Sequence, residues 1–279
     1  MKSCAFAMGV LGVFGTAAAS EGALEINQDC VAVGCFAGDD PGFPVTITQG
    51  GRYRLTSDLD MQVASPAAHG LEIASPEDSS VDLDFGGFSL DGRGRCTGNP
   101  VTSCTSFVNG GLTGISASDG IVVRIHDGTV RGMQGPGLGL TGLAGGSSFE
   151  NVTVTECNTA GFSFAGIILQ AELNSAVRLV NVRASRNRVG GLHIVAPAFV
   201  TGATVAGNGG YGLQGGLPGI TVRESAFSDN AGFGVTAASA FALGTSSFFN
   251  NNANAANPQY SLPNLRDMGG NVCGDGACP

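Results

Sequence analysis

The chain of 279 residues has no tryptophan, three tyrosines and a single lysine, Lys2. Without further lysine a P-loop, a Schiff-base enzyme and any other Lys-dependent mechanism are excluded. Neutral sugars are usually held on Trp or Tyr platforms. With only Tyr53, Tyr211 and Tyr260 to offer, strong binding of neutral glycans is disfavoured. Charged residues are scarce at 13%, about half the usual share. With 43% hydrophobic residues the chain is nevertheless too apolar to be disordered. No run after the first 20 residues is long and apolar enough to span a bilayer, so no transmembrane anchor is expected. The formal charge of −9 argues against nucleic acid as a partner.

What is present in excess is glycine: 46 residues, without the every-third spacing of collagen. The first 19 residues read as a secretory leader: Lys2, an apolar run from Cys4 to Gly15, then Ala17-Ala18-Ala19. Cleavage after Ala19 removes the lysine and takes the charge from −9 to −10. A secreted or periplasmic location follows as the expectation. Seven of the eight cysteines remain, six of them as close pairs: Cys30/Cys35, Cys96/Cys104 and Cys273/Cys278. Six cysteines allow about 15 connectivities, and proximity favours these three. Cys157 is left over and reads as a small buried hydrophobe.

Internal repetition is the strongest signal. A glycine followed by an apolar residue recurs at Gly70, Gly114, Gly137, Gly161, Gly191, Gly210 and Gly232. A second column, Asn158, Asn187, Asn208, Asn230 and Asn252, runs ahead of these glycines. Between them lie short alternating runs such as Val81-Asp-Leu-Asp-Phe85 and Ile220-Thr-Val-Arg223, as strands with one buried face have. A period of about 22 residues is shorter than a propeller blade and has no helix, but it suits one turn of a parallel β-helix. Glycine is expected at the turns for its positive φ, and stacked asparagines are expected to bond from coil to coil. The expected organisation is a leader over 1–19, an N-terminal cap with a disulfide over 20–44, and a β-helix over 45–255. A loop insertion at 93–112 interrupts the β-helix, and a C-terminal cap with a disulfide fills 256–279.

On "VDLDFGGFSLDG", "GIVVRIHDGTVRGM" and the repeated "N…GGLHI", "N…GGYGL" and "N…AGFGV", the chain resembles the secreted right-handed parallel β-helix proteins of the pectate-lyase-like superfamily. The likeness covers roughly residues 45–255 and implies an all-β, single-stranded, right-handed solenoid and chemistry on polysaccharide. The family's motifs are missing: there is no Asn-Thr-Asp, Gly-His-Gly, Arg-Ile-Lys, Arg-x-Pro-x-x-Arg or Tyr-Gly-x-Asp-Pro-His.

Two constellations remain. The basic one places Arg178, Arg183, Arg186 and Arg188 within 11 residues, with His193 nearby and Arg124, His126 and Arg131 about two coils earlier. As a stripe it would hold sugar carboxylates or sulfates, with Arg124 and His126 as the catalytic candidates of a lyase-like reaction. The plainer reading is a set of solvated outward positions. The acidic constellation is Asp82, Asp84 and Asp91, with Asp127 one coil on. Asp82 and Asp84 share one strand face and are the candidate ligands for Ca²⁺; no other cofactor is indicated. The partner expected is an anionic polysaccharide; the alternative is a non-catalytic surface or adhesion rod. Sequence leaves the oligomeric state open.

Overall fold

The computed structural model describes residues 22–61, 68–105, 112–117, 119–161, 165–172, 174–252, 258–274 and 276–278. The expected leader lies outside them, as do residues 106–111 of the insertion and Asp275. One helical turn, Gln28–Val31, precedes a body built almost wholly of short strands. Each coil contributes to three faces. A first-face strand such as Leu71–Ile73 is followed by a second-face strand such as Ser80–Asp84 and a third-face strand such as Ser89–Asp91. The equivalent strand of the next coil then pairs with it in parallel. Nine strands stack on the first face, from Val45–Ile47 to Tyr260–Ser261. Steps from coil to coil run from 21 to 29 residues, with one of 44 where the insertion leaves. About 25 is a better description than the 22 read from the repeats.

Alternation fills the interior with columns of like residues. One column runs Leu83, Ile125, Phe149, Leu179, Val200, Val222 and Leu243. Another runs Leu90, Val130, Val154, Ala184, Val205, Phe227 and Phe248. All of them join one buried cluster, each large member worth about 1.5–3 kcal/mol of burial. Phe227 and Phe248 stack with ring centroids 5.2 Å apart. Ahead of the first coil, Val31 belongs to the same cluster and Phe36 lies against Tyr53.

Two repeat columns need correction in detail. The buried asparagines of the column are Asn158, Asn187, Asn208, Asn230 and Asn251. Asn252, the expected member, takes a left-handed turn beside the column instead. Asn208 Nδ2 donates to Asn230 Oδ1 at 2.8 Å and to the Ala184 carbonyl at 3.1 Å, while its Oδ1 accepts from Asn187 N and Nδ2. Asn230 and Asn251 repeat the pattern, and Gln259 Oε1 closes it. Each amide therefore satisfies backbone as well as its neighbour, which is what burial of so polar a group requires.

The glycine column is Gly70, Gly114, Gly137, Gly166, Gly191, Gly212 and Gly234, two positions beyond the expected Gly210 and Gly232. Its glycines are selected by close approach, not by positive φ: a Cβ on Gly212 would lie 2.3 Å from the Gly234 carbonyl. Glycine does take left-handed turns elsewhere, at Gly132, Gly202, Gly207 and the expected Gly161, which lies outside the column. Polar residues share these corners, among them Asp127, Asn151, Asn181, Arg186, Asp229 and Asn250.

The three proximity pairings are the disulfides of the structure, Cys30–Cys35, Cys96–Cys104 and Cys273–Cys278. Cys157 is free and buried, and burial pushes its thiol pKa up to about 12. The insertion forms an antiparallel hairpin, Arg95–Gly98 with Val101–Thr105, closed by its disulfide. It leaves the coil of Asp91 and lies along the corner of the coils that follow. Gly94 N bonds the Gly132 carbonyl at 2.8 Å, Cys96 N reaches Glu156 Oε1 at 3.4 Å, and Val101 N bonds the Gly207 carbonyl at 3.0 Å.

Candidate functional site

The second face brings the two sequence constellations together. Register sets Arg52, Asp82, Arg124, Ser148 and Arg178 in one outward row, and Arg54, Asp84, His126 and Glu150 in the next. Asp82 and Asp84 are thus side by side on one strand, with His126 of the next coil against both. His126 Nε2 lies 3.1 Å from Asp82 Oδ1, and Nδ1 lies 2.9 Å from Asp127 Oδ2 and 3.6 Å from Asp84 Oδ1. Arg54 Nε stands 3.4 Å from the other oxygen of Asp84, and Arg124 Nη1 donates to Ser80 Oγ at 2.9 Å. Arg52, Arg54, Asp82, Asp84 and His126 line a shallow concavity.

Local chain chemistry builds this nest. Asp127 takes φ 58°, a left-handed corner that Asp tolerates because its short carboxylate bonds locally. The turn swings that carboxylate back onto His126, and Asn151 Nδ2 fixes its other oxygen at 2.8 Å. Gly128 follows because the buried Phe85 ring runs beneath: a Cβ there would sit 2.1 Å from Phe85 Cβ. Partial burial alone would lower the His126 pKa, but the hydrogen bond to Asp127 and the charges of Asp84 and Asp82 outweigh it and hold it above the ordinary value. Asp127 is held below the usual carboxylate value by its hydrogen bonds from Asn151 and His126. The site is thus an imidazole clasped by carboxylates and bordered by guanidinium groups, able to take up and give back a proton and to meet an anion.

The donor set fits Ca²⁺ poorly. Asp84, His126 and Asp127 offer atoms within 4.8 Å of one another, but Ca²⁺ takes six to eight oxygen ligands. Here an imidazole occupies the centre and Arg54 competes for Asp84.

The rest of the basic stripe does not gather. Arg178 shares the row of Arg124, two coils on; Arg183 lies on the third face, and His193 on the first, where burial lowers its pKa. Arg186 Nη2 donates to the Cys96 carbonyl and lies 3.4 Å from Glu156 Oε1. Arg188 Nη1 donates to the Thr159 carbonyl at 2.6 Å. These two are occupied with the hairpin and the corner. Glu156, in the turn two residues ahead of Asn158, is the partner that sequence reasoning missed. Asp91, the third member of the acidic constellation, accepts from the Arg93 amide at 2.7 Å and pairs with Arg95 at 2.9 Å and Arg131 at 2.8 Å. Its burial opposes ionisation, but Arg95, the Arg93 amide and Arg131 together lower its pKa.

Residues 113–264 match the family described as "Right handed beta helix region". The chain belongs to this family. The handedness of the solenoid follows from that membership. The solved structure of the Azotobacter vinelandii Mannuronan C-5 epimerase AlgE4 A-module is similar at 16% identity. The TM-score is 0.57, over 85% of this chain and 69% of that one, and at such identity the likeness is one of fold. No curated protein sequence matches the chain. Among the described residues no helix of this right-handed β-helix is long and apolar enough to cross a membrane.

Proposed function

We propose that the second face binds an acidic polysaccharide and acts on it at His126, in a protein that works outside the cytoplasm. The carrying observation is the His126 imidazole held between Asp82 and Asp127, in a concavity bordered by Arg52 and Arg54. Support for the substrate class comes from the fold: the structurally similar epimerase acts on mannuronan, a uronate polymer. Three disulfides suit an oxidising compartment.

In this reading Arg124, with Arg52 or Arg54, neutralises the sugar carboxylate and so acidifies the hydrogen on the adjacent carbon. A guanidinium stays protonated in proteins, so Arg124 assists as a charge and His126 carries the proton. In the elimination, His126 in its neutral form takes the proton as the C–H bond breaks, the electron pair forms the C=C bond, and the glycosidic C–O bond breaks. The departing oxygen takes its proton from His126, and Asp82 and Asp127 orient the ring. If His126 takes the proton and water returns one to the opposite face of the same carbon, with no bond to oxygen broken, the outcome is epimerisation.

The test is to incubate the full chain with pectate, alginate and sulfated glycans. Ultraviolet absorbance reads the unsaturated uronate, and proton NMR reads inversion at the carbon. Either signal, lost in His126→Gln, supports the reading, and a chelator is expected to leave it unchanged. Silence in both, from folded protein, leaves the non-catalytic rod, which the commitment of Arg186 and Arg188 to structural bonds favours.

A further inference from the structure

Beyond Arg178 the second face changes character. Its outward row continues as Phe199, Thr221, Ala242 and Arg266, and the neighbouring row as Thr201, Arg223 and Gly244. Thr221 and Ala242 are short, so a trough opens above them. Phe199 closes one end, Arg266 and Met268 the other, and Arg223 stands at the side. Phe199 is 58% exposed, more than any other aromatic side chain among the described residues. Most described phenylalanines pack into the interior, so this one departs from what the fold asks of the residue type. Arg223 and Arg266 belong to none of the ion pairs formed among the described residues. Arg223 is held only by a contact from Nη2 to Met268 Sδ at 3.3 Å.

We propose that this trough is a second binding subsite, for an anionic sugar ring. The apolar face of the ring rests on Phe199, and its carboxylate or sulfate lies between Arg223 and Arg266. An aromatic face offers contact area at little conformational cost. Unpaired guanidinium groups offer bidentate donors to a carboxylate or sulfate without first breaking an ion pair. The ligand class is therefore chosen by both features together: a neutral sugar leaves the arginines unused, and a small anion leaves Phe199 unused. The identity of the ligand rests on the polysaccharide reading of this face, but not on any chemistry at His126.

Arg223 lies in the same row as His126, four strands further on. At the strand spacing of sheets that is about 19 Å. A polymer laid along the solenoid axis covers both places, whereas a disaccharide reaches only one. The subsite thus anchors long chains away from the reacting sugar, where binding energy can serve positioning. The overall charge of −9 repels a polyanion at long range, so the attraction is local and weakens with salt.

Calorimetry with the full chain tests this, using polygalacturonate, polymannuronate, a sulfated glycan and a neutral β-1,4 polymer. The variants are Phe199→Ala, Arg223→Gln/Arg266→Gln and, as the separate site, Asp82→Asn/His126→Gln. All the substituted side chains point outward, and unchanged thermal unfolding verifies the fold. Phe199→Ala and the double arginine variant are each expected to weaken polyanion binding about tenfold. The Asp82→Asn/His126→Gln variant is expected to retain most of the affinity. Wild-type affinity in both trough variants overturns the proposal, and leaves the His126 reading standing if the Asp82/His126 variant alone loses binding. Equal affinity for the neutral polymer overturns the ligand class. Self-association of the free protein that Phe199→Ala abolishes, with no polymer bound, makes the trough an interface between copies and overturns it as well.

Discussion

The coils from Gly51 to Thr155 and those from Val177 to Phe249 share one cross-section but differ in what they spend their side chains on. The later coils are regular. The first-face steps among them are 21 and 22 residues, and a continuous asparagine column runs through their corner. The earlier coils carry the 44-residue step, the hairpin and most of the ion pairs. Outward positions of the second face hold Asp82, Asp84, Arg124 and His126 in the earlier group, and Arg178, Phe199, Thr201, Thr221, Arg223 and Ala242 in the later. Where the repeat is broken, opposite charges gather into ion pairs; where it is kept, arginines and Phe199 stand among short side chains. In a fold whose coils rest on their neighbours, departures from period mark the places freed for chemistry.

The contrast can be broken most severely in the regular half. Asn208→Leu leaves the Asn187 backbone N–H without its side-chain acceptor and takes one bond each from Asn187 Nδ2, the Ala184 carbonyl and Asn230 Oδ1. It is expected to cost about 4 kcal/mol, read by denaturant unfolding. In the irregular half, His126→Gln is expected to lower turnover about 100-fold or more with little loss of stability near neutral pH. Its stability effect has a sign: the folded pKa is raised above 6.5. The stabilisation is fully present below the unfolded value and disappears as pH rises through the folded one. Melting curves of wild type and His126→Gln are therefore expected to converge on the alkaline side. Gly212→Ala, back in the regular coils, should cost about 2 kcal/mol in denaturant unfolding because its methyl meets the Gly234 carbonyl. Arg186→Ala, at the hairpin, should cost about 1 kcal/mol, its side chain being 43% exposed. Hydrogen exchange at the Cys96 and Val101 amides is the direct readout.

Fold and disulfides were legible because they are written in order along the chain. Alternating apolar positions, glycine before apolar residues, and cysteines five or eight apart are all local patterns. The exact columns were less so. Asn251 and Asn252 are adjacent, and only strand register decides which points inward. The site was legible in its members but not in its arrangement. Asp82 and His126 are 44 residues apart in sequence and differ in charge, so they read as members of different constellations, although Asp127 beside His126 already stood one coil from Asp82. Arg183, Arg186 and Arg188 looked like one stripe because they are close in sequence, but the third face and the corner that follows it separate them. Phe199 gave no signal at all, since nothing local distinguishes an outward phenylalanine from an inward one.

The hairpin carries a consequence for how the molecule yields to force or heat. A stack whose units touch only their neighbours behaves as a one-dimensional array and can open unit by unit from either end. By reaching from the coil of Asp91 to that of Gly207, the Cys96–Cys104 hairpin adds a coupling that skips over the coils between. Those coils are tied to open as a block. Pulled from its ends, the intact rod should show one large rupture across this span, which breaks into smaller steps once the disulfide is reduced.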